Sequence, residues 1–263
     1  MVVVKMADGL GNQIFRYVCG YAVARERNEE LALDIADYTN DTYRSFQMDY
    51  FALDKYKKIS FPNRTIVGKA LRRIARPIKY HVIHEQQENL HVKKMRNVYL
   101  DGYYEDLRFY EKYSDDIRRQ LKPAYKMNNN VLDAINYCKN NVTCGIHLRL
   151  GDRRFDSVEY FNNAVLYMKR TFPNIEFILF SNEIDEAINI LKPLNIEYRV
   201  VDSFGKLSDI DSFFVLQSCR NQILSVGTYG IWAGILNDNG KKKVCVPKEV
   251  YNSISYPVDW IKI

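Results

Sequence analysis

The feature that most constrains this chain is the regular alternation of short apolar runs with amphipathic stretches after Asn140. Thr143–Leu150 reads as a strand, Ser157–Thr171 as a helix and Phe177–Phe180 as a strand. Ile184, Ala187, Ile188 and Leu191 then recur at helical spacing. Ile196–Val201 is a strand, Asp209–Cys219 a helix, Gln222–Ser225 a strand, Tyr229–Leu236 a helix and Val244–Val246 the last strand. Strands separated by helices cannot pair as hairpins. They imply a parallel sheet covered on both faces.

The first half starts the same way. Met1–Met6 reads as a buried strand, residues 7–13 as a glycine-bearing turn, and Ile14, Tyr17, Val18, Tyr21 and Ala22 as one face of a helix. Leu31–Ile35 is a second strand. The pattern is irregular from Ala36 to Asn97, with one amphipathic helix expected at Ile66–Ala75. Val98–Leu100 is a strand, Ser114–Leu121 a helix ended by Pro123, and Val131–Cys138 another helix. The polar run Lys139-Asn140-Asn141 sets the expected boundary, giving domains 1–140 and 141–263.

Bulk properties narrow the class. With 263 residues, 47% of them apolar, the chain can bury two cores. No apolar run approaches the roughly 20 residues of a membrane span, and no signal peptide is expected. The cysteines at 19, 138, 144, 219 and 245 sit in apolar runs without metal spacing, which predicts reduced thiols and a cytosolic protein. The net charge of +6 favours an anionic ligand but no nucleic-acid motif accompanies it. A denser basic stretch, Lys55–Arg96, holds Arg72, Arg73, Arg76, Lys79, Lys93, Lys94 and Arg96. It reads as a solvated face, or as a weak contact with lipopolysaccharide or a lipid surface.

Four blocks carry chemistry. In Gly145-Ile146-His147-Leu148-Arg149-Leu150-Gly151-Asp152, alternation puts His147 and Arg149 on one face of a strand that ends at Gly151. An arginine, a histidine and a carboxylate thus crowd a strand's carboxyl end, where open α/β sheets bind ligands. Arg149 suits a diphosphate oxygen. Gly9-Leu10-Gly11-Asn12-Gln13 follows a strand and opens a helix, a frame for an anion. It lacks the third glycine of a dinucleotide fingerprint, so NAD is rejected. Ser225–Gly234 joins strand to helix through Gly227 and Thr228, with Thr228 as the expected N-cap. Leu100–Glu105 sets Tyr103 and Tyr104 beside Gly102, as a sugar-stacking rim or a core corner. Asp209-Ile210-Asp211 has the spacing of a metal-binding pair but reads as a helix start.

Together and in this order, these blocks resemble the inverting alpha-1,2-fucosyltransferases that use GDP-fucose. Gly9–Gln13 matches their GLGNQ turn, His147–Asp152 resembles HxRRGD, and Gly227–Ala233 resembles their C-terminal motif. Gly102-Tyr103-Tyr104 resembles a GYY corner, and Phe180–Ile184 an FSDD-type segment. Leu150 replaces the motif's second Arg, and Asn182 and Glu183 stand where acidic residues are common.

The resemblance implies a GT-B-like α/β fold, two Rossmann-like halves facing across a cleft, with GDP in the second and the acceptor side in the first. It implies transfer of L-fucose from GDP-β-L-fucose to the 2-OH of a galactose, with inversion and with no metal or cofactor. Donor-binding residues would be Gly9, Gly11, Asn12, Gln13, His147, Arg149, Ser181, Asn182, Glu183, Thr228 and Tyr229. Arg149 and His147 would serve catalysis with Asp152 as base, Asp8 and Glu105 being the alternatives. Tyr103, Tyr104 and Glu105 would hold a galactose-terminated oligosaccharide or glycolipid. A cytoplasmic bacterial enzyme of surface-glycan synthesis, peripheral at the inner membrane face, is expected. A fucosyltransferase of another linkage or acceptor, and a non-catalytic module for anionic glycans or nucleotides, remain the alternatives.

Overall fold

The computed structural model describes residues 1–39, 44–61, 80–84, 97–151, 154–248 and 254–263. The expected helix at 66–75, the base candidate Asp152, and the seven cations named in the basic stretch lie outside them. The chain divides into two compact units, Met1–Tyr125 and Lys126–Ile263.

In the first unit five parallel strands form one sheet: β1 (Val2–Lys5), β2 (Leu31–Asp34), β3 (Lys57–Ile59), β4 (His81–His84) and β5 (Val98–Asp101), in the order β3-β2-β1-β5-β4. β1 sits at the centre, and Val2, Val3 and Val4 are inaccessible to solvent, as befits a strand covered on both faces. Helix α1 (Leu10–Arg27) follows, with Ile14, Tyr17, Val18, Tyr21 and Ala22 all buried. Two short helices, α2 (Arg108–Lys112) and α3 (Ser114–Gln120), close the unit. Asp34 is fully buried. It accepts from the Tyr99 hydroxyl at 2.6 Å and the Ala36 amide at 3.1 Å, which offsets its desolvation.

The second unit starts with helix α4 (Asn129–Asn140). Then come β6 (Thr143–Leu148), α5 (Val158–Thr171), β7 (Glu176–Ser181), α6 (Ile184–Leu191), β8 (Tyr198–Val200), α7 (Asp209–Ser218), β9 (Asn221–Leu224), α8 (Thr228–Leu236), β10 (Val244–Val246) and β11 (Ile261–Lys262). All six strands are parallel, in the order β11-β10-β9-β6-β7-β8. Counted from the first strand of the unit this is 6-5-4-1-2-3, the doubly wound order of dinucleotide-binding folds. The α/β class expected from the alternation is therefore found in both units.

The structure differs from the sequence reading at several points. The division falls after Tyr125 rather than at 140, because α4 belongs to the second core. There Cys138 Sγ lies 3.7 Å from Cys219 Sγ, the Thr143 hydroxyl donates to the Cys138 carbonyl at 2.7 Å, and Tyr137 packs on Phe204. β6 ends at Leu148, so Arg149 and Leu150 are just beyond the ladder. α1 starts at Leu10, so Gly11, Asn12 and Gln13 form its first turn instead of the preceding loop. Gly227, not Thr228, caps α8. Strands β3, β4 and β11 are short edge or near-edge strands of two to four residues, too brief for a readable period. All five cysteines are free and buried, as expected. Among the described residues no helix is long and apolar enough to cross a membrane.

Candidate active site

In a doubly wound sheet the ligand crevice opens where neighbouring strands are followed by connections running in opposite directions. In the second unit that point lies between β6 and β9, which pair in register from Cys144↔Asn221 to His147↔Leu224. The segments leaving their carboxyl ends are His147–Gly151 and Ser225–Thr228. They are two of the four blocks the sequence singles out.

Arg149 is held there by its main chain. Its N–H donates to the hydroxyl of the fully buried Ser225 at 2.8 Å, and its carbonyl accepts from the Phe155 N–H at 3.0 Å. Asn182 brackets the next residue: its Oδ1 accepts from the Leu150 N–H at 2.9 Å and its Nδ2 donates to the Leu150 carbonyl at 3.0 Å. One loop is thereby tied to the ends of both flanking strands, β9 and β7. The stem of Arg149 runs beside the start of α8, its Cγ 3.8 Å from where a Cβ on Gly227 would lie. Gly227 has φ +115° and ψ 148°, a region essentially open only to glycine. A guanidinium stem beside a helix N-terminus brings two positive features together. That arrangement is unfavourable by itself and favourable around an anion.

His147, expected among the donor-binding and catalytic residues, lies in a buried aromatic setting. It is 7% exposed, and its ring stacks on Tyr229 with centroids 5.3 Å apart and planes 21° apart. Burial, reinforced by the neighbouring Arg149 charge, lowers its pKa from 6.5 to about 4. At neutral pH it is a neutral imidazole that can donate one hydrogen and accept another. Its Nδ1 is buried with no hydrogen-bond partner among the described residues. Gly230 lets the helix pass close to the ring: a Cβ there would sit 3.1 Å from Nδ1, a tight contact.

The other second-unit candidates divide by contact. Tyr229 turns toward the protein, its hydroxyl donating to the Asp209 carbonyl at 2.9 Å and its ring edge-on to Phe213. Thr228 is the first residue of α8, where backbone N–H groups lack helical partners. The Ser181 hydroxyl closes a local turn with the Glu183 backbone, accepting from its N–H at 3.1 Å. Asn182, expected among the donor-binding residues, holds the Leu150 peptide. Asp209 and Asp211 do begin a helix: Asp211 Oδ2 accepts from the Ser208 hydroxyl at 2.6 Å in a capping box.

In the first unit the corresponding point lies between β1 and β5, and both remaining blocks meet there. Gln13, expected to present its amide to a ligand, is inaccessible. Its Nε2 donates to the carbonyls of Asp8 and Ser45 at 3.0 and 2.9 Å, and its Oε1 accepts from the Gln47 N–H at 2.8 Å. The amide ties a loop to the helix start. Gly11 is buried, Asn12 half-buried, and the Arg44 guanidinium reaches to 3.2 Å of a Cβ position on Gly9. The two tyrosines separate: Tyr104 is a core corner, 4% exposed with its hydroxyl donating to the Ile83 carbonyl at 2.8 Å, whereas Tyr103 is 39% exposed. Glu105 is half-buried beside them.

One residue that fixes the site carries no task in the sequence reading: Ser225, whose hydroxyl accepts from the Arg149 N–H. Its position directly after a switch-point strand is the available signal.

Comparison with known proteins gives the family and the fold. The family model described as "Glycosyl transferase family 11" matches residues 1–261. An alpha-1,2-colitosyltransferase of Escherichia coli is 26% identical over 297 residues, covering 100% of this chain and 99% of that protein. The O-antigen biosynthesis glycosyltransferase WbnK of Escherichia coli is 25% identical over 288 residues, covering 93% of each. Among solved structures, the alpha-1,6-fucosyltransferase NodZ from Bradyrhizobium, co-crystallized with GDP, superposes with a TM-score of 0.54 at 13% identity, covering 89% of this chain and 92% of that one. The fold is thus GT-B-like, and with the family model spanning nearly every residue, this chain belongs to glycosyl transferase family 11.

Proposed function

We propose that the chain transfers L-fucose from GDP-β-L-fucose to the 2-OH of a galactose residue, with inversion and without a metal ion, in the synthesis of a bacterial surface glycan. The observation that carries this reading is Arg149 at the switch point of the second sheet, with its backbone fixed by Ser225 and its stem against the N-terminus of α8. As the C1–O bond of the donor breaks, negative charge grows on the departing diphosphate. A fixed guanidinium and the first N–H groups of α8 meet that charge without reorganising, and such preorganisation is commonly the largest catalytic contribution. Neutral His147 adds a hydrogen bond rather than a charge. The acceptor hydroxyl attacks the opposite face of C1, giving an α-linkage. Its proton passes to a nearby carboxylate, for which Asp152, Asp8 and Glu105 are the candidates, or to solvent.

The donor assignment draws on NodZ, whose structure holds GDP, and the surface-glycan role on the named activities of the two Escherichia coli relatives. A cytoplasmic site of action fits five free buried thiols. A second reading changes only the sugar: the full-length match to a colitosyltransferase favours a colitosyl donor, which lacks one ring hydroxyl of fucose. Purified chain given GDP-fucose or GDP-colitose, lactose and EDTA decides between them. NMR of the product should show an α-1,2-fucosyl galactoside. Transfer of colitose alone selects the second reading, and turnover with neither donor on any galactoside removes both.

A further inference from the structure

β6 pairs with β7 as far as Leu148↔Ser181 and with β9 as far as His147↔Leu224, so the ladder stops short of Arg149. Two side chains continue it. On the β9 side the Ser225 hydroxyl accepts from the Arg149 N–H. On the β7 side the Asn182 amide accepts from the Leu150 N–H and donates to the Leu150 carbonyl. Successive N–H groups of a strand point to opposite neighbours, and here the alternation is carried on to Leu150. The peptide groups before and after the Arg149 Cα are thereby fixed. Ser225 holds the first. The second is held at both ends, its carbonyl by the Phe155 N–H at 3.0 Å and its N–H by Asn182 at 2.9 Å. A residue whose two flanking peptides are fixed has φ and ψ fixed, and with them the direction of its side chain. His147 and Arg149 accordingly both lie against α8, one beside Gly230 and the other beside Gly227. Only at Gly151, with φ +82°, does the chain turn away.

Holding the N–H and the carbonyl of one residue takes a group with an acceptor and a donor side by side, which a primary amide supplies and a carboxylate does not. We propose that Asn182 is a positioning residue for diphosphate binding: it holds the backbone that follows Arg149, not the nucleotide, and so fixes the direction from which the guanidinium reaches the phosphates. The inference rests on the reading of Arg149 as the partner of the diphosphate. It adds that an uncharged side chain at the end of the neighbouring strand sets part of that arginine's affinity. The entropy of fixing the Arg149 backbone is then lost on folding, before the nucleotide arrives, and binding does not bear it.

The test compares the full chain with Asn182→Ala by NMR and by titration with GDP in EDTA. Asn182 is exposed, so the variant should melt near the parent. Without nucleotide, exchange of the Leu150 amide hydrogen should quicken about tenfold, the equivalent of one ordinary hydrogen bond. GDP should bind about fivefold more weakly, the entropy of refixing one backbone torsion. The Arg149 Nε–H resonance, assigned by its absence from Arg149→Ala, should move on saturation with GDP in both proteins but reach different positions. Unchanged Leu150 exchange or unchanged GDP affinity overturns the proposal. So does weaker binding in which the saturated Arg149 resonance coincides with the parent's, because Asn182 then touches the nucleotide itself. The premise is read in the unaltered chain alone: an Arg149 resonance that ignores saturating GDP removes the diphosphate from that guanidinium and the proposal with it. A premise that holds while Asn182→Ala behaves as the parent overturns the proposal only.

Discussion

Acid should destabilise the second unit through His147, by an amount its environment sets. The imidazole has a folded-state pKa of about 4 against 6.5 when unfolded, because burial and the Arg149 charge oppose protonation. Between those values the unfolded chain binds more protons than the folded one, so stability rises with pH across the window. The neutral-histidine contribution is complete above about 6.5 and disappears as pH falls toward 4. Integrating between pH 7 and pH 5 gives a loss of about 2 kcal/mol from this one group. Both tryptophans, Trp232 and Trp260, lie in the second unit, so urea unfolding followed by tryptophan fluorescence reports that unit directly. His147→Asn will be less stable at pH 7 because the larger ring fills the space against Tyr229. Its stability should nevertheless depend less on pH, by about 2 kcal/mol over the same interval. Parallel pH profiles for the two proteins would refute a buried neutral histidine.

The remaining expectations concern the scaffold around it. Ser225→Ala removes the acceptor of the Arg149 N–H; leaving that group unsatisfied should lower stability by about 1–3 kcal/mol and weaken GDP binding, read by thermal melting with and without nucleotide. Gly227→Ala should cost about 1–3 kcal/mol through its φ of +115° rather than through a clash, since the added Cβ clears Arg149 Cγ by 3.8 Å. Gln13→Ala should release the loop that its amide ties at Ser45 and Gln47; faster amide hydrogen exchange at residues 44–48, with unchanged exchange in the second unit, is the expected signature.

Much of this was legible in the chain. Long, strongly periodic segments such as α1 and α5, and the buried strands β1, β6 and β9, follow from apolar spacing because their burial enforces the pattern. The sequence also marks the carboxyl end of β6 as a ligand-binding end, because His147, Arg149 and Gly151 close an alternating strand there. Side-chain tasks were harder to read. Asn182 and Gln13 are polar residues in functional motifs, and their use as backbone clamps depends on partners 32 and 34 positions away. His147 is placed beside Arg149 by alternation, but its protonation state depends on burial that alternation alone does not measure. The Asp8–Arg16 pair spans eight positions across a turn and a helix start, where the intervening geometry, not the spacing, brings the charges together.

The central claim is that a guanidinium at the end of β6 holds a nucleoside diphosphate without a divalent ion, and calorimetric titration with GDP in EDTA tests it most directly. The unaltered chain should bind. Arg149→Ala should bind at least about a hundredfold more weakly, as expected for losing charge-assisted, two-pronged hydrogen bonds to phosphate, with its melting temperature near that of the parent. Undiminished binding by Arg149→Ala, or GDP binding by the parent that vanishes in EDTA, would contradict the account.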